Sequence, residues 1–398
     1  MQSRVPASEL KDRLARFRKW MDGKDPDWQV AVIFGKINQY YFSGTMQDGL
    51  IFIPRIDEPV YWVRRSYERA RSESYFSDIR PMQSFRDAAK DMGQYPGVYH
   101  IETEIVPIAL AERFRKHFPV SEFKSLDPMV ARTRAEKSRY EIELMSRSGE
   151  IHRRVLEDRV PDLLYEGMSE ADLGCELHSV LIEEGHHGII RFAMFETEIV
   201  LGQIAFGVHS IAPTYFNGPG GSVGLSPAVP LLGSRERKLR KGDLVFLDVG
   251  CGYEGYQTDK TVVYQFRAPV PEDAVSAHQV CLDLEHLMAS RLRPGTTPAD
   301  IYQMAMEEIP ERYLYAFMGC GKRRVPFVGH GVGLSVDEYP VIASGFDEPL
   351  RYGMTIALEP KIGIAGVGMV GSENTYLVQA GGGESITGHS QGLIEVGF

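Results

Sequence analysis

The sequence predicts an α+β protein of two domains, with the larger domain at the C-terminal end. The chain has 398 residues, which is the length of about two ordinary domains. Strand-like and helix-like segments are mixed over roughly the first 125 residues, as in a small α/β domain. The rest of the chain repeats a helix pair followed by strand-like sequence. We therefore expect a domain over residues 1–132 and a duplicated α+β domain, with a curved sheet and flanking helices, over 133–398.

The composition suits a globular protein and excludes several classes of partner. Hydrophobic residues make up 43% of the chain and charged residues 25%, which is normal for full-sized cores. The net charge of −10 disfavours a nucleic-acid partner, and no apolar run approaches the roughly 18 residues of a membrane span. The first residues lack a signal-peptide core, and the four cysteines are scattered. We therefore expect reduced thiols in a cytoplasmic protein.

Periodic patterns define the elements of the first domain. Apolar residues recur on one face of a predicted helix over residues 9–21. Further elements are predicted as strands over 30–34, 49–53 and 60–63 and as helices near 84–92 and 108–117. This half has no cluster of ligand-type residues, so we expect it to have a supporting or dimer-forming role. The strongly charged stretch 132–143 then leads into a long helix.

Two capped helices indicate the repeat in the second domain. Ser169 precedes Asp172 by three residues, as Thr297 precedes Asp300, and each pair fits a helix cap. Each follows a long predicted helix, one reaching about residue 160 and one over 272–292, and each precedes strand-like sequence, over 189–203 and 325–343. The alternative is two unrelated capped helices.

A predicted helix end contains two adjacent histidines. His186 and His187 follow Gly185, and a glycine is typical just beyond a helix C-terminus. Histidines there are favourable in the field of the helix dipole. We expect them to form a solvated cap.

Two aspartates, Asp248 and Asp259, interrupt an apolar hairpin over residues 239–264. Asp248 follows the apolar run 244–247, and Asp259 precedes a second strand that is rich in β-branched and aromatic residues. Glycines 250, 252 and 255 allow the chain to turn between them. A buried carboxylate without a partner is costly, so the pair needs a cation or hydrogen-bond donors. The alternative is a pair of turn-capping aspartates.

Three further polar residues interrupt apolar segments downstream. His330 lies in the glycine-rich sequence FVGHGVGL, Glu359 ends the strand-like TIALEP, and Glu373 precedes a strand in VGSENTYLV. Four carboxylates and one imidazole suit hard or borderline divalent cations. Bridging carboxylates can hold two such ions about 3.5 Å apart.

This ordered set resembles the ligands of the aminopeptidase P and prolidase family, the creatinase-like "pita-bread" metallopeptidases. The resemblance covers nearly the whole chain. It includes the segments Asn38–Gly44, Lys241–Asp243, Asp259–Thr261 and His330–Leu334. It implies a pita-bread C-terminal domain behind a creatinase-like N-terminal domain, and a homodimer.

The resemblance also implies a mechanism for hydrolysis of Xaa-Pro bonds in small peptides. Asp248 would chelate one of two divalent ions, Asp259 and Glu373 would bridge both, and His330 and Glu359 would complete the other. A hydroxide between the ions would be the nucleophile. Glu359 would accept its proton and pass it to the leaving amine. Oxygen-rich ligation favours manganese, with cobalt, zinc and iron open.

Three positions depart from the family pattern. Leu231 and Asp337 stand where the family carries histidines that position substrate, and Gly371 stands where it usually carries an arginine. We hypothesise that Asp337 selects a cationic group of the substrate, such as a free amino terminus. Three interpretations follow: a two-metal peptidase acting at proline bonds, a related enzyme with other small-molecule chemistry such as C–N hydrolysis or a lyase reaction, and a non-catalytic peptide-binding relative.

Overall fold

The computed structural model describes residues 4–93, 95–390 and 392–397. The chain divides into two compact units, Met1–Arg134 and Ala135–Phe398; the sequence placed the division after residue 132. Across the described residues, no helix combines the length and the hydropathy that a membrane crossing requires.

The first unit is built on a mixed six-stranded sheet in the order β4-β3-β2-β1-β5-β6. Its strands are β1 (Val30–Ile33), β2 (Asp48–Pro54), β3 (Val60–Arg65), β4 (Ile79–Pro81), β5 (Val98–Ile101) and β6 (Glu122–Ser125). Its helices are α1 (Ala7–Lys24), α2 (Lys36–Ser43), α3 (Tyr67–Glu73), α4 (Phe85–Asp91), α5 (Ile108–Arg115) and α6 (Asp127–Ala135), the last of which ends in the second unit. The antiparallel strands β1, β2 and β3 form the centre, and the edge strands join in parallel. The predicted α/β character is confirmed.

The core of this unit is aromatic. Phe114 of α5 is fully buried and stacks on Phe118 with ring centroids 4.2 Å apart. It also contacts Phe34 and Tyr99 edge-on. Such pairs are worth about 0.5–1.5 kcal/mol beyond the area that they bury.

The first half of the second unit packs helices on a four-stranded sheet. Its helices are α7 (Arg139–Arg153), which continues through a π-helical turn (Arg154–Arg159) into α8 (Val160–Leu163), and α9 (Glu170–Glu184). Its strands are β7 (Gly202–Phe206), β8 (Leu244–Tyr253) and β9 (Tyr256–Phe266), and a 3-10 turn (Gly207–Ile211) follows β7. Strand β19 (Ile394–Val396), near the C-terminal end, completes the sheet in the order β19-β9-β8-β7.

The second half repeats this plan. Its helices are α10 (Glu272–Ser290) and α11 (Pro298–Glu308), followed by a 3-10 turn (Glu311–Tyr313). Its strands are β10 (Gly319–Cys320), β11 (Arg323–Arg324), β12 (Phe327–Gly331), β13 (Glu338–Ala343), β14 (Thr355–Leu358), β15 (Lys361–Ile364), β16 (Gly368–Gly371), β17 (Asn374–Gln379), β18 (Gly382–Ser385) and β19 (Ile394–Val396). The main sheet has the order β13-β12-β14-β17-β18. Both predicted capping hydroxyls, Ser169 and Thr297, accept the expected backbone hydrogen bond.

Two local expectations were wrong. Residues 189–201 form a loop, and a strand begins only at Gly202. One reason is that Asp337 accepts the backbone N–H groups of Ala193 and Met194, so a side chain replaces a strand partner there. His186 is buried and is not a solvated cap. Its Nδ1 accepts a 2.8 Å hydrogen bond from the N–H of Gly252 in β8.

Candidate metal centre

The β8–β9 hairpin brings the first two acids together. Glu254 and Gly255 form its turn with φ values of 48° and 94°, as a two-residue hairpin turn requires. Asp248 pairs with Thr261, and Asp259 pairs with Gly250. Side chains alternate between the faces of a strand, so Asp248 and Asp259 share one face. The predicted turn at glycines 250 and 252 was wrong, because both lie within β8.

The five-stranded sheet places the other three side chains in the same way. His330 on β12 pairs with Ala357 on β14. Leu358 and Asn374 form the last pair of the β14–β17 ladder. Glu359 follows that pair and Glu373 precedes it, so the two glutamates flank the end of the ladder. Alternation directs both to the face that carries His330.

Thr261 joins the two sheets at this point. Its N–H donates to the Glu373 carbonyl at 3.1 Å, and its Oγ1 donates to Glu373 Oε2 at 2.8 Å. Asp248 and Asp259 of one sheet therefore lie beside the three residues of the other. The structure thus brings all five predicted ligand residues together.

One subset of this cluster has the donor set of a metal site. Ligand atoms of Asp259, His330 and Glu373 all lie within 4.8 Å of one another. His330 Nε2 is 3.9 Å from both Asp259 Oδ2 and Glu373 Oε1, which is beyond hydrogen-bonding distance. Glu373 Oε1 is buried and, among the described residues, has no hydrogen-bond partner. An orphaned buried carboxylate oxygen facing an imidazole and a second carboxylate fits a divalent cation.

A lysine lies inside the other subset. Asp248, Glu359 and Glu373 also offer ligand atoms within 4.8 Å of one another. The Nζ of Lys361 is 3.0 Å from Asp248 Oδ2, 2.9 Å from Glu359 Oε2 and 2.7 Å from Glu373 Oε2. The Lys361 side chain is fully buried. This subset does not fit a divalent cation while the amine remains there.

Burial and mutual repulsion shift the pKa values of these groups. Burial raises the pKa of Asp248 to about 6, although Lys361 opposes the shift. Burial and the neighbouring Glu373 raise the pKa of Asp259 well above its usual range. Burial lowers the pKa of Lys361, but the surrounding carboxylates outweigh it and the net shift is strongly upward. One ammonium therefore faces four carboxylates, an imbalance that a divalent cation would relieve.

A buried network holds the residues on both sides of Glu373. Glu285 of α10 accepts hydrogen bonds from the hydroxyl of Ser372 and from Nδ2 of Asn374, the latter at 2.8 Å. It also accepts one from the Tyr376 hydroxyl at 2.8 Å. Contacts of this kind fix the orientation of a metal ligand.

A second polar side chain lies beside the centre without a partner. Gln203 on β7 pairs with Asp248 and is 1% exposed. Within the described part of the chain, neither its amide oxygen nor its amide nitrogen has a hydrogen-bond partner. A buried amide of this kind is costly, and it offers both a donor and an acceptor to a ligand.

The three positions that depart from the family pattern have distinct surroundings. Leu231 is buried. Asp337 accepts hydrogen bonds from two backbone N–H groups of the 189–201 loop. Gly371 has a φ of 137° and pairs with Lys361 across the β15–β16 hairpin. In this hairpin the cationic side chain is therefore that of Lys361, which lies on the strand opposite position 371.

The sequence analysis missed three residues of this site: Lys361, Gln203 and Glu285. Lys361 did give a signal, because it follows the apolar segment TIALEP and begins a strand that reads KIGI; lysines are rarely buried unless paired. Glu285 lies on the buried face of α10, where a charged residue needs a partner. Gln203 gave no signal that separates it from an ordinary strand residue.

Comparisons with known proteins match this arrangement. The model of metallopeptidase family M24 matches residues 143–380, and that of the creatinase/prolidase N-terminal domain matches 13–135. The Xaa-Pro dipeptidase of Pyrococcus furiosus is 26% identical over 388 residues, covering 95% of this chain and 98% of the relative.

Solved structures agree with the fold. The prolidase of Pyrococcus horikoshii has a TM-score of 0.79 at 23% identity, covering 96% of this chain and all of that chain (100%). The Xaa-Pro dipeptidase of Bacillus anthracis has a TM-score of 0.81 at 20% identity, covering 97% and 100%. At these identities the structures establish the fold alone. A pita-bread domain behind a creatinase-like domain, with clustered acids and one histidine, defines a metallopeptidase architecture. The chain belongs to metallopeptidase family M24.

Proposed function

We propose that this protein is a metal-dependent peptidase that hydrolyses Xaa-Pro bonds in small peptides. The observation that carries the proposal is the convergence of Asp259, His330 and Glu373, together with Glu373 Oε1, which has no hydrogen-bond partner among the described residues. Family membership and the known Xaa-Pro dipeptidase among the relatives support the reaction type and the proline bond.

These three residues would hold a divalent cation. The oxygen-rich donor set favours manganese, with cobalt, zinc and iron as alternatives. A cation of this kind supplies Lewis acidity, which lowers the pKa of water toward neutrality and polarises a carbonyl. Two cations were expected, and the amine of Lys361 lies where Asp248 and Glu359 would hold one of them.

Glu359 is positioned to move the proton. Its Oε1 lies 3.5 Å from His330 Nε2, on the side of the proposed cation, and its Oε2 accepts a hydrogen bond from Lys361. The bond from Lys361 holds the carboxylate in one orientation and leaves Oε1 free of this contact. Oε1 would take the proton of the attacking water and deliver it to the leaving amine.

Two side chains are candidates for substrate binding. The Gln203 amide beside Asp248, which has no partner in the described part of the chain, can pair with a peptide N–H or C=O group. For Asp337 we retain the hypothesis that it selects a free amino terminus, because each of its oxygens can accept a further hydrogen bond. A homodimer in the cytoplasm completes the proposal; the four free cysteines agree with a reducing compartment, and light scattering tests the dimer.

A metal-reconstitution assay tests the proposed function. The whole chain is stripped of metal, reloaded separately with Mn²⁺, Co²⁺ and Zn²⁺, and assayed on Xaa-Pro dipeptides and on matched Xaa-Ala dipeptides. We expect turnover only after reloading and only of the proline peptides. Metal binding without turnover of any peptide would contradict the proposal.

One observation favours a second candidate. Leu231 is buried and stands where the family pattern has a histidine that positions substrate, and Lys361 binds three of the acids in the cluster. A related enzyme that hydrolyses a C–N bond in another small molecule, or a lyase, would accommodate these changes. Metal-dependent turnover of a non-peptide amide, with none of a dipeptide, would select it.

A further inference from the structure

We propose that the side-chain amine of Lys361 takes the place of one of the two expected cations, so that the centre binds a single divalent ion between Asp259, His330 and Glu373. The inference rests on the proposed metal dependence. It is independent of which bond the enzyme cleaves.

The contacts of Lys361 are those of a bound cation. An ammonium has three hydrogen-bond donors, and Nζ has three carboxylate oxygens at 2.7–3.0 Å, one from each of Asp248, Glu359 and Glu373. These are normal distances for charge-assisted hydrogen bonds. A divalent ion bound to the same oxygens would need them at about 2.0–2.6 Å. The amine and an ion therefore cannot share these three oxygens.

The strand opposite Lys361 has a glycine at the position that pairs with it. Lys361 pairs with Gly371, and a Cβ added at Gly371 would lie 3.0 Å from Lys361 Cγ and 2.3 Å from the carbonyl oxygen of Pro360. The φ of 137° at Gly371 also disfavours any side chain there. A side chain at position 371, such as the arginine of the family pattern, would thus clash with the backbone of Pro360 and Lys361.

The two carboxylate oxygens of Glu373 point to different cations, the Lys361 ammonium and the proposed divalent ion. Its Oε2 accepts hydrogen bonds from Lys361 and Thr261, whereas its Oε1 has no hydrogen-bond partner among the described residues and faces His330. One oxygen is already committed to the ammonium, and the other remains for an ion. Glu373 would therefore bridge a fixed organic cation and an exchangeable inorganic one.

Metal stoichiometry tests this inference without reference to activity. The whole chain is stripped with a chelator, equilibrated with excess Mn²⁺, freed of unbound ion and analysed by mass spectrometry of the metal. We expect one Mn²⁺ per wild-type chain and two per Lys361→Gly chain, in which the three carboxylates are released. Electron paramagnetic resonance should show an isolated Mn²⁺ in the wild type and a spin-coupled pair in the variant.

A matched control removes a buried lysine elsewhere. Lys137 is also buried and pairs with Glu338 at 3.5 Å, so Lys137→Met should leave one Mn²⁺ bound. If Lys361→Gly does not fold by circular dichroism, Lys361→Ala replaces it, and the wild-type value alone still decides. Two ions, or none, in the wild-type chain would overturn the inference. One ion without Xaa-Pro turnover would support it and contradict the proposed function instead.

Discussion

Asn374 Nδ2 donates a 2.8 Å hydrogen bond to Glu285 Oε1, which ties the residue after Glu373 to helix α10. Ser372, the residue before Glu373, donates to the other oxygen of the same carboxylate. The buried acid Glu285 thus helps to fix the position of Glu373, which we propose as a metal ligand.

Replacing Glu285 should weaken metal binding. In Glu285→Gln an amide N–H₂ group faces hydrogen-bond donors, so a side chain next to Glu373 loses its acceptor. We expect the dissociation constant for Mn²⁺ to rise roughly 10–100-fold, as for other residues that orient ligands. Calorimetric titration of the metal-free protein measures it. Asp283→Asn, at an exposed site on the same helix, is the control and should bind Mn²⁺ like the wild type. Equal Mn²⁺ affinity in both variants would show that Glu285 does not support metal binding.

Glu359→Gln should greatly slow turnover and leave the ion bound. The amide cannot accept the proton of the attacking water, and general acid–base groups contribute roughly 10²–10⁴-fold to rate. Its oxygen can still accept the hydrogen bond from Lys361. We expect kcat to fall by that factor with the Mn²⁺ content unchanged. Loss of the metal together with activity would instead make Glu359 primarily a ligand.

Gln203→Leu should separate substrate binding from stability. Leucine removes a buried amide that has no partner within the described structure, so the free energy of unfolding should stay equal or rise. If the amide binds a peptide group, KM should increase several-fold, since one hydrogen bond is worth about 0.5–1.5 kcal/mol. Urea unfolding and steady-state kinetics measure the two quantities. Lower stability with unchanged KM would show that the amide has a structural partner.

Asp337→Asn tests the amino-terminus hypothesis. The variant should raise KM for peptides with a free amino group more than for their N-acetylated counterparts, because only the former carry a charge for Asp337 to select. The carboxylate also holds Ala193 and Met194, and loss of that support would affect both substrates alike. Equal changes in KM for the two kinds of peptide would therefore mean that Asp337 only supports the loop and does not select the amino terminus.

His186 should make the fold sensitive to acid. Burial, with a smaller effect of His187, lowers its pKa from 6.5 to about 4. The folded state therefore binds this proton less readily than the unfolded state, and the stability from His186 is complete above pH 6.5 and is lost as the pH falls through about 4. The shift corresponds to about 3 kcal/mol. Denaturant unfolding should show a shallower loss in His186→Gln over this range; identical slopes in the two proteins would contradict the assignment.

The arrangement of strands was predictable where alternation and turns determine it. Asp248 and Asp259 stand out because each interrupts an apolar strand, and the hairpin then places them on one face. That these residues bind metal stays a prediction. Lys361 was not foreseen, because its direction depends on the β15–β16 hairpin that follows Pro360. His186 was misjudged because a helix-end pattern carries no information about the strand β8 that covers it.

The position of Lys361 has a consequence for the stability of the metal-free protein. One of its counter-ions is covalently part of the polypeptide and cannot dissociate. Loss of the inorganic ion leaves Asp248, Glu359 and one oxygen of Glu373 still hydrogen-bonded to the Lys361 amine, so these three side chains should keep their positions. The emptied enzyme should therefore persist as a folded reserve that regains its ion when supply returns.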